Sequence, residues 1–255
     1  MSLEFFDCNA AYGVWSVPPF KPAVCAQDLL DEMAWCGIAR ALVRHAALDN
    51  EAPQVGNRVV LDETAPHPSL YPSWAILPSQ TGELGTVDAF LASMRDAAVR
   101  ALWAFPSKHR YTLDAVSCGD LLEALAERRI PLFLQRSETS RGLTGWELAG
   151  ALLKEFPSLI VVVVGHGSWG EDRLFRPLVE AYEGFHTDTS RYELDGGIPD
   201  FCAKYGARRL LFGSAFPNTS PGGPVLTLAH ADISDEDKQL IAAGNLDRLL
   251  SEAQP

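Results

Sequence analysis

Leu159-Ile160-Val161-Val162-Val163-Val164-Gly165 carries six apolar side chains in succession and ends on a glycine. A strand with one wet face alternates apolar and polar residues, whereas a strand covered on both faces does not, and parallel sheets are made of the second kind. Working outward, short apolar runs recur at Glu4–Asn9, Ala41–Ala46, Leu70–Leu77, Arg100–Phe105, Ile130–Gln135, Gly184–Thr189 and Leu210–Gly213. The segments between them carry apolar stripes at helical spacing. Leu29, Leu30 and Met33 form one, Leu121, Leu122 and Leu125 a second, and Leu148, Leu152, Leu153 and Phe156 a third. Eight strand–helix repeats in 255 residues match a (β/α)8 TIM barrel, α/β in class, with residues 1–255 as one domain. A doubly wound open sheet is the alternative, since periodicity says nothing of closure. The second unit, Asn57–Pro68, is the least regular.

Composition narrows the function. The net charge of −12 repels nucleic acid and anionic membranes. The longest apolar run is far too short to span a bilayer. The five cysteines, Cys8, Cys25, Cys36, Cys118 and Cys202, form no CxxC pair and no zinc-finger spacing. The first ten residues lack the basic and apolar regions of a signal peptide, so a cytoplasmic setting is expected.

Gly165-His166-Gly167-Ser168-Trp169-Gly170 is a literal GxGxxG, with Asp188 about 20 residues on. Five strand–helix units precede it, and Glu171 and Asp172 would repel a pyrophosphate at the helix start. A tight strand-to-helix turn is the better reading, and an oxidoreductase the weaker one. Ser168 and Ser214 follow strands but lack the flanking glycines of a nucleophile elbow.

In a barrel, chemistry sits at the C-terminal ends of the strands. Arg136 is placed there to clamp a carboxylate bidentately, or else to pair with a loop acid. His166 is an acid, a base or a hydrogen-bond donor, or else a histidine satisfied by a backbone carbonyl. Asp7 facing His166 would make an acid–base dyad and raise the imidazole pKa. Asn9, Tyr12, His45, Trp103, Gln135, Trp169, Ser190 and Ser214 are the candidate substrate contacts, with packing as the alternative for the aromatics. Arg44 ends the second run: pointing inward it is costly without an anion, pointing outward it is ordinary. Cys8 reads as a small buried hydrophobe.

Leu211-Phe212-Gly213-Ser214-Ala215-Phe216-Pro217 resembles the eighth-strand signature of the amidohydrolase-related family, usually LFGSDxP. Gly244-Asn245-Leu246-Asp247-Arg248-Leu249-Leu250 is similar to its closing GNxxRLL helix. Phe156-Pro157-Ser158-Leu159 leading to His166-Gly167, Ile130-Pro131-Leu132, and Thr187-Asp188-Thr189-Ser190 resemble its sixth, fifth and seventh strands. The resemblance spans essentially the whole chain. It implies a (β/α)8 barrel of metal-dependent hydrolases and decarboxylases acting on small organic acids, esters and amides, often dimeric.

In that family a His-x-His pair, two further histidines and an aspartate hold the metal. The matching positions here are Asp7, Asn9, Gln135, His166 and Ala215. Only His166 is a good zinc ligand, and catalytic zinc wants about three. The expectation is a degenerate metal site with no cofactor, leaving room for a weakly held zinc ion on Asp7, Cys8 and His166 as unorthodox ligands. Function then divides between metal-independent hydrolysis or decarboxylation of a carboxylate-like small molecule, binding without catalysis, and a homodimeric pseudoenzyme.

Overall fold

The computed structural model describes residues 3–166 and 171–255. The expected strands all form: β1 (Phe5–Tyr12), β2 (Ile38–His45), β3 in two pieces (Leu70–Pro72 and Trp74–Ala75), β4 (Leu102–Ala104), β5 (Leu132–Gln135), β6 (Val161–Val164), β7 (Phe185–Asp188) and β8 (Leu210–Leu211). Every neighbouring pair among them is parallel. One ladder runs β1-β2-β3 and the other from the second piece of β3 through β4, β5, β6 and β7 to β8. Backbone hydrogen bonds cross both breaks. Ser73 N–H donates to Val43 O at 3.0 Å, and Cys8 N–H donates to Phe212 O at 2.9 Å. The order is that of a (β/α)8 barrel. A small antiparallel ribbon, Thr139–Ser140 with Leu143–Thr144, follows β5.

Two apolar layers explain the consecutive valines. Val162 and Val164 join Phe6, Cys8, Trp103, Phe105, Phe133 and Leu211 inside the barrel. Val161 and Val163 instead pack with Leu152, Phe175 and the other helix residues outside it. The interior is filled by large side chains, as a barrel of this size requires. The helical stripes land as expected, with Leu29 and Met33, Leu121, Leu122 and Leu125, and Leu148, Leu152 and Leu153 all buried.

The segment read as least regular, Asn57–Pro68, overlaps a twelve-residue helix, Pro53–Thr64. Its buried face is polar at one key point. Asn57 Nδ2 donates to Ala75 O at 3.1 Å, and Ala75 N–H donates to Asn57 Oδ1 at 2.8 Å. A hydrophobic pattern cannot reveal a face that docks through an amide. Among the described residues no helix is long and apolar enough to cross a membrane.

The β6–β7 contact leaves no room for a side chain at Gly184, where a Cβ would sit on the carbonyl of Leu159. Gly184→Ala is expected to destabilise the protein by about 1–3 kcal/mol. Gly223 meets nothing within 4 Å and lies in the helix Gly222–Ala229, so Gly223→Ala should be neutral or slightly stabilising. Urea unfolding of both variants checks the contrast; equal midpoints would contradict this packing.

Candidate functional site: an arginine-lined cavity at the barrel mouth

The C-terminal strand ends open onto a cavity of about 200 Å³ lined by Asn9, Arg44, Gln135, Arg136, Ser137, Val164, Gly165, Arg191, Ala215, Asn218 and Thr219. Arg44 decides its character. It follows Leu42, an interior residue, at period two along β2, and so enters the barrel. The side chain is only 3% exposed. Its Nε and Nη1 have no hydrogen-bond partner, and Asp49 Oδ2 stands off at 3.5 Å from Nη1. The guanidinium lies 5.1 Å from the Trp103 ring and 5.4 Å from that of Trp15. Burial pushes its pKa down, against the pull of Asp49 and Glu138. A buried guanidinium with free N–H groups is costly unless an acceptor completes it.

Of the residues expected from the sequence, the structure brings Asn9, Gln135 and Arg136 to this cavity. Arg136 also donates from Nε to Gly165 O at 2.9 Å and pairs with Glu171 at 2.9 Å. The remaining expected contacts lie elsewhere. Trp103 is buried in the barrel, with Nε1 donating to Ser73 Oγ, and offers its face to Arg44. Tyr12 and His45 meet edge to face, with centroids 5.2 Å apart, and Tyr12 belongs to the layer beneath the helices. Ser214 is fully buried and accepts from Phe216 N–H, while Ser190 is 2% exposed. Trp169 lies outside the described residues, as does most of the GxGxxG segment.

His166 faces away from the cavity. Its Nε2 is 2.8 Å from Thr187 Oγ1, and its ring stacks on Tyr192 at 5.1 Å beside Phe175 and Trp146. Asp7 spends its Oδ1 on the N–H groups of Asn9 and Ser214, both at 2.9 Å. The Asp7–His166 dyad is therefore not formed. Asp7 sits instead near Asp188, whose Oδ1 accepts from Gly165 N–H at 2.9 Å and whose Oδ2 accepts from Asn9 Nδ2 at 3.0 Å. Arg44, Arg191, Asn218 and Thr219 line the cavity without having been selected. Arg44 was left open between two faces of its strand. The others sit on loops, where periodicity is silent.

The metal-ligand positions can be tested directly. Asp7 is occupied by two backbone donors, Asn9 turns its amide to Asp188, His166 is packed among aromatics, and Ala215 has no donor atom. Cys8 lies in the barrel interior, its thiol pushed well above the usual range by burial and then by Asp188 and Asp7. Among the described residues no group of three or more His, Cys, Asp or Glu side chains is placed to hold a metal ion. This donor set does not fit a divalent metal.

Two buried groups set opposing pH dependences. Burial holds His166 neutral, its pKa pushed down to about 4. Unfolding returns it to 6.5, so its contribution to stability is present above that value and lost as pH falls toward 4. Burial raises Asp188 to about 6, with the nearby Asp7 charge adding to it. The folded state then binds the proton more tightly than the unfolded one, and stability from this group declines as pH rises through 4 to 6. Asp188→Asn is expected to steepen the rise of stability with pH across that window. Urea midpoints measured against pH for variant and wild type decide it; parallel profiles would refute the assignment.

The comparisons with known proteins agree with this architecture. The amidohydrolase family model matches residues 13–251. No curated protein sequence matches the chain. An uncharacterized TIM-barrel protein, Bb4693 from Bordetella bronchiseptica, superposes with a TM-score of 0.73 at 18% identity, covering 98% of this chain and 99% of its own. The 2,6-dihydroxybenzoate decarboxylase from Rhizobium gives 0.73 at 16%, covering 98% and 99%. A 5-carboxyvanillate decarboxylase from Novosphingobium aromaticivorans, solved with bound manganese, gives 0.75 at 14%, covering 98% and 97%. At such identities the structural likeness speaks for the fold, while the family model spans nearly the whole sequence. The chain belongs to the amidohydrolase family.

Proposed function

We propose that the chain binds a small organic carboxylate at the C-terminal mouth of the barrel and does so without a metal ion. The observation that carries this reading is Arg44, buried at the cavity with Nε and Nη1 unpartnered. A buried guanidinium on the cavity wall whose hydrogen bonding is incomplete favours an anion there, and a carboxylate is a strong charge-assisted acceptor for it. Arg191 adds a second cation on the cavity wall, and it makes no ion pair or side-chain hydrogen bond among the described residues. Gln135, Asn218 and Thr219 supply amide and hydroxyl groups. At about 200 Å³ the space is below the usual ~300–1,000 Å³ of a drug-sized pocket, and so it suits a compact acid. The aromatic acids named for the structural neighbours are of that size and charge.

Chemistry at this cavity has less support than binding. The groups that face it are mainly hydrogen-bond donors, which hold an anion in place. Asp7 and Asp188, the carboxylates able to exchange a proton, bond to Asn9 from behind and do not line the cavity. Decarboxylation needs a proton delivered to the carbon that loses CO2, and hydrolysis needs an activated water. Neither a donor for the first nor a base for the second faces the cavity among the described residues.

Calorimetric titration with 2,6-dihydroxybenzoate in the presence of EDTA tests the reading, with the same ring lacking its carboxylate as control. Saturable binding of the acid alone is expected. Arg44→Met should weaken it about 10- to 100-fold, the loss of a charge-assisted hydrogen-bonded pair worth about 1.5–3 kcal/mol. Arg191→Gln, at a half-buried loop position, should weaken it less and serves as the variant least able to disturb the fold. Equal binding of the uncharged ring, or binding restored only by added manganese, would sink the proposal. Release of CO2 from the acid would make the protein an enzyme instead.

A further inference from the structure

A second cleft, about 430 Å³, opens at the opposite end of the barrel, where β6, β7 and β8 begin. Four arginines line it: Arg129, Arg208, Arg209 and Arg248. In a chain of net charge −12, positive charge so concentrated needs a reason. The acids at hand balance it only in part. Glu252 pairs with Arg129 at 2.6 Å and stands 3.7 Å from Arg248, and Glu183 is on the cleft wall. Counting both acids, the cleft keeps two positive charges in excess.

The arginines are differently engaged. Arg209 is anchored through Nη1 to the carbonyls of Tyr182 and Phe185, at 2.9 and 3.0 Å. Arg248 donates from Nη2 to Arg208 O at 3.4 Å. Arg208 itself is exposed, with no side-chain hydrogen bond or ion pair among the described residues. Burial holds Arg209 and Arg248 below the ordinary arginine pKa, with repulsion from Arg248 and Arg208 adding at Arg209 and from Arg208 and Arg129 at Arg248.

At the back of the cleft, His186 is 4% exposed. Its Nδ1 lies 3.2 Å from Gly184 O, which can only accept, so Nδ1 carries the proton. The bare Nε2 turns to Arg248 Nη2 at 3.4 Å. Burial and then the surrounding arginines push this histidine down to about 3. The cleft thus holds a cationic cluster with an imidazole kept neutral beside it, the arrangement expected when the missing charge is an anion.

We infer that this floor cleft is a binding site for a phosphate group carried by a small organic molecule. Two charges in excess match a phosphate near neutrality, which is nearly a dianion. Guanidinium forks suit its oxygens. Tyr205, Pro157 and Ile160 give an apolar wall for an attached organic group, and the volume exceeds what the ion alone would fill. Nucleic acid is the poorer source of the phosphate, because the rest of an acidic surface repels a polyanion. The site is independent of the carboxylate cavity at the mouth.

The test is calorimetric titration with phenyl phosphate and with inorganic phosphate, on the full chain. Saturable binding is expected, tighter for the ester. Equal affinity for the two would identify free phosphate as the occupant of the same site. Arg208→Glu, at an exposed and unpartnered side chain, should weaken phosphate binding at least tenfold and leave 2,6-dihydroxybenzoate binding unchanged. The ring protons of His186 in the NMR spectrum should shift on phosphate addition but not on addition of the aromatic acid. Absence of saturation at millimolar concentrations, or affinity indifferent to Arg208→Glu, overturns the inference.

Discussion

Two buried carboxylates, with no cation paired to either among the described residues, hold the mouth of the barrel together. Asp188 on β7 receives Gly165 N–H from the end of β6 and the Asn9 amide from β1. Asp7 receives the N–H groups of Asn9 and of Ser214, just past β8. Four strand ends are thereby tied by donors that would otherwise be orphaned. Gly213 belongs to the same device, since a Cβ there would collide with the Asp188 carboxylate. Each charge-assisted bond contributes about 1.5–3 kcal/mol, set against the desolvation that raises both acids. The net gain is modest, and what the pair supplies is position. Asn9 is held from both sides with its place on the cavity wall fixed.

That constraint makes the site above it rigid and small. Below the cavity the barrel is filled by Phe6, Trp103, Phe105 and Phe133, so a ligand cannot sink into the interior. Trp103 is the floor against which Arg44 lies, its indole N–H secured by Ser73. Cation–π contact with an aromatic face is worth about 1–2 kcal/mol when desolvated, less than the loss of hydration that burial imposes on a guanidinium. Arg44 is therefore stored strain of an electrostatic kind. On the proposed reading a bound anion would relieve it, so stability and binding are expected to trade against each other at this residue.

The fold was legible because its signal is redundant. Consecutive β-branched residues such as Val161–Val164, short and closed by a glycine, fit a strand covered on both sides, and the pattern of short apolar runs recurs along the chain. The site was less legible, for reasons that can be named. Period two carries Cys8 into the interior with Phe6, but the β1 register slips between Asp7 and Ala10, and past the slip Asn9 reaches the cavity while Ala10 and Tyr12 join the helix-facing layer. The same rule would aim His166 inward after Val162 and Val164. Gly165 adopts a φ of 81°, breaking the phase, and the imidazole turns to Thr187 and the helix layer instead. Gln135 and Arg136 were legible from their place at the C-terminal end of β5, and alternation from the interior Phe133 accounts for Gln135 alone. Whether Arg44 pointed in or out was unanswerable until the register of β2 on β1 was known.

Ala215 shows how scaffold and chemistry come apart. It occupies the position where the family resemblance expects a metal-binding aspartate, and its φ is 54°. An alanine in the left-handed region is held there against a preference of about 1–2 kcal/mol, and aspartate and asparagine enter that region more readily. The turn is retained by what surrounds it. Asn218 and Thr219 N–H both donate to the Ala215 carbonyl, and Thr219 Oγ1 donates to Ser214 O. None of these bonds uses the side chain at position 215, so the turn needs no carboxylate there. The loop brings Asn218 and Thr219 to the cavity beside Ala215. A barrel mouth can in this way present hydrogen-bond donors where the resemblance expects metal ligands, because strand order and loop backbone do not depend on which side chains the loop carries.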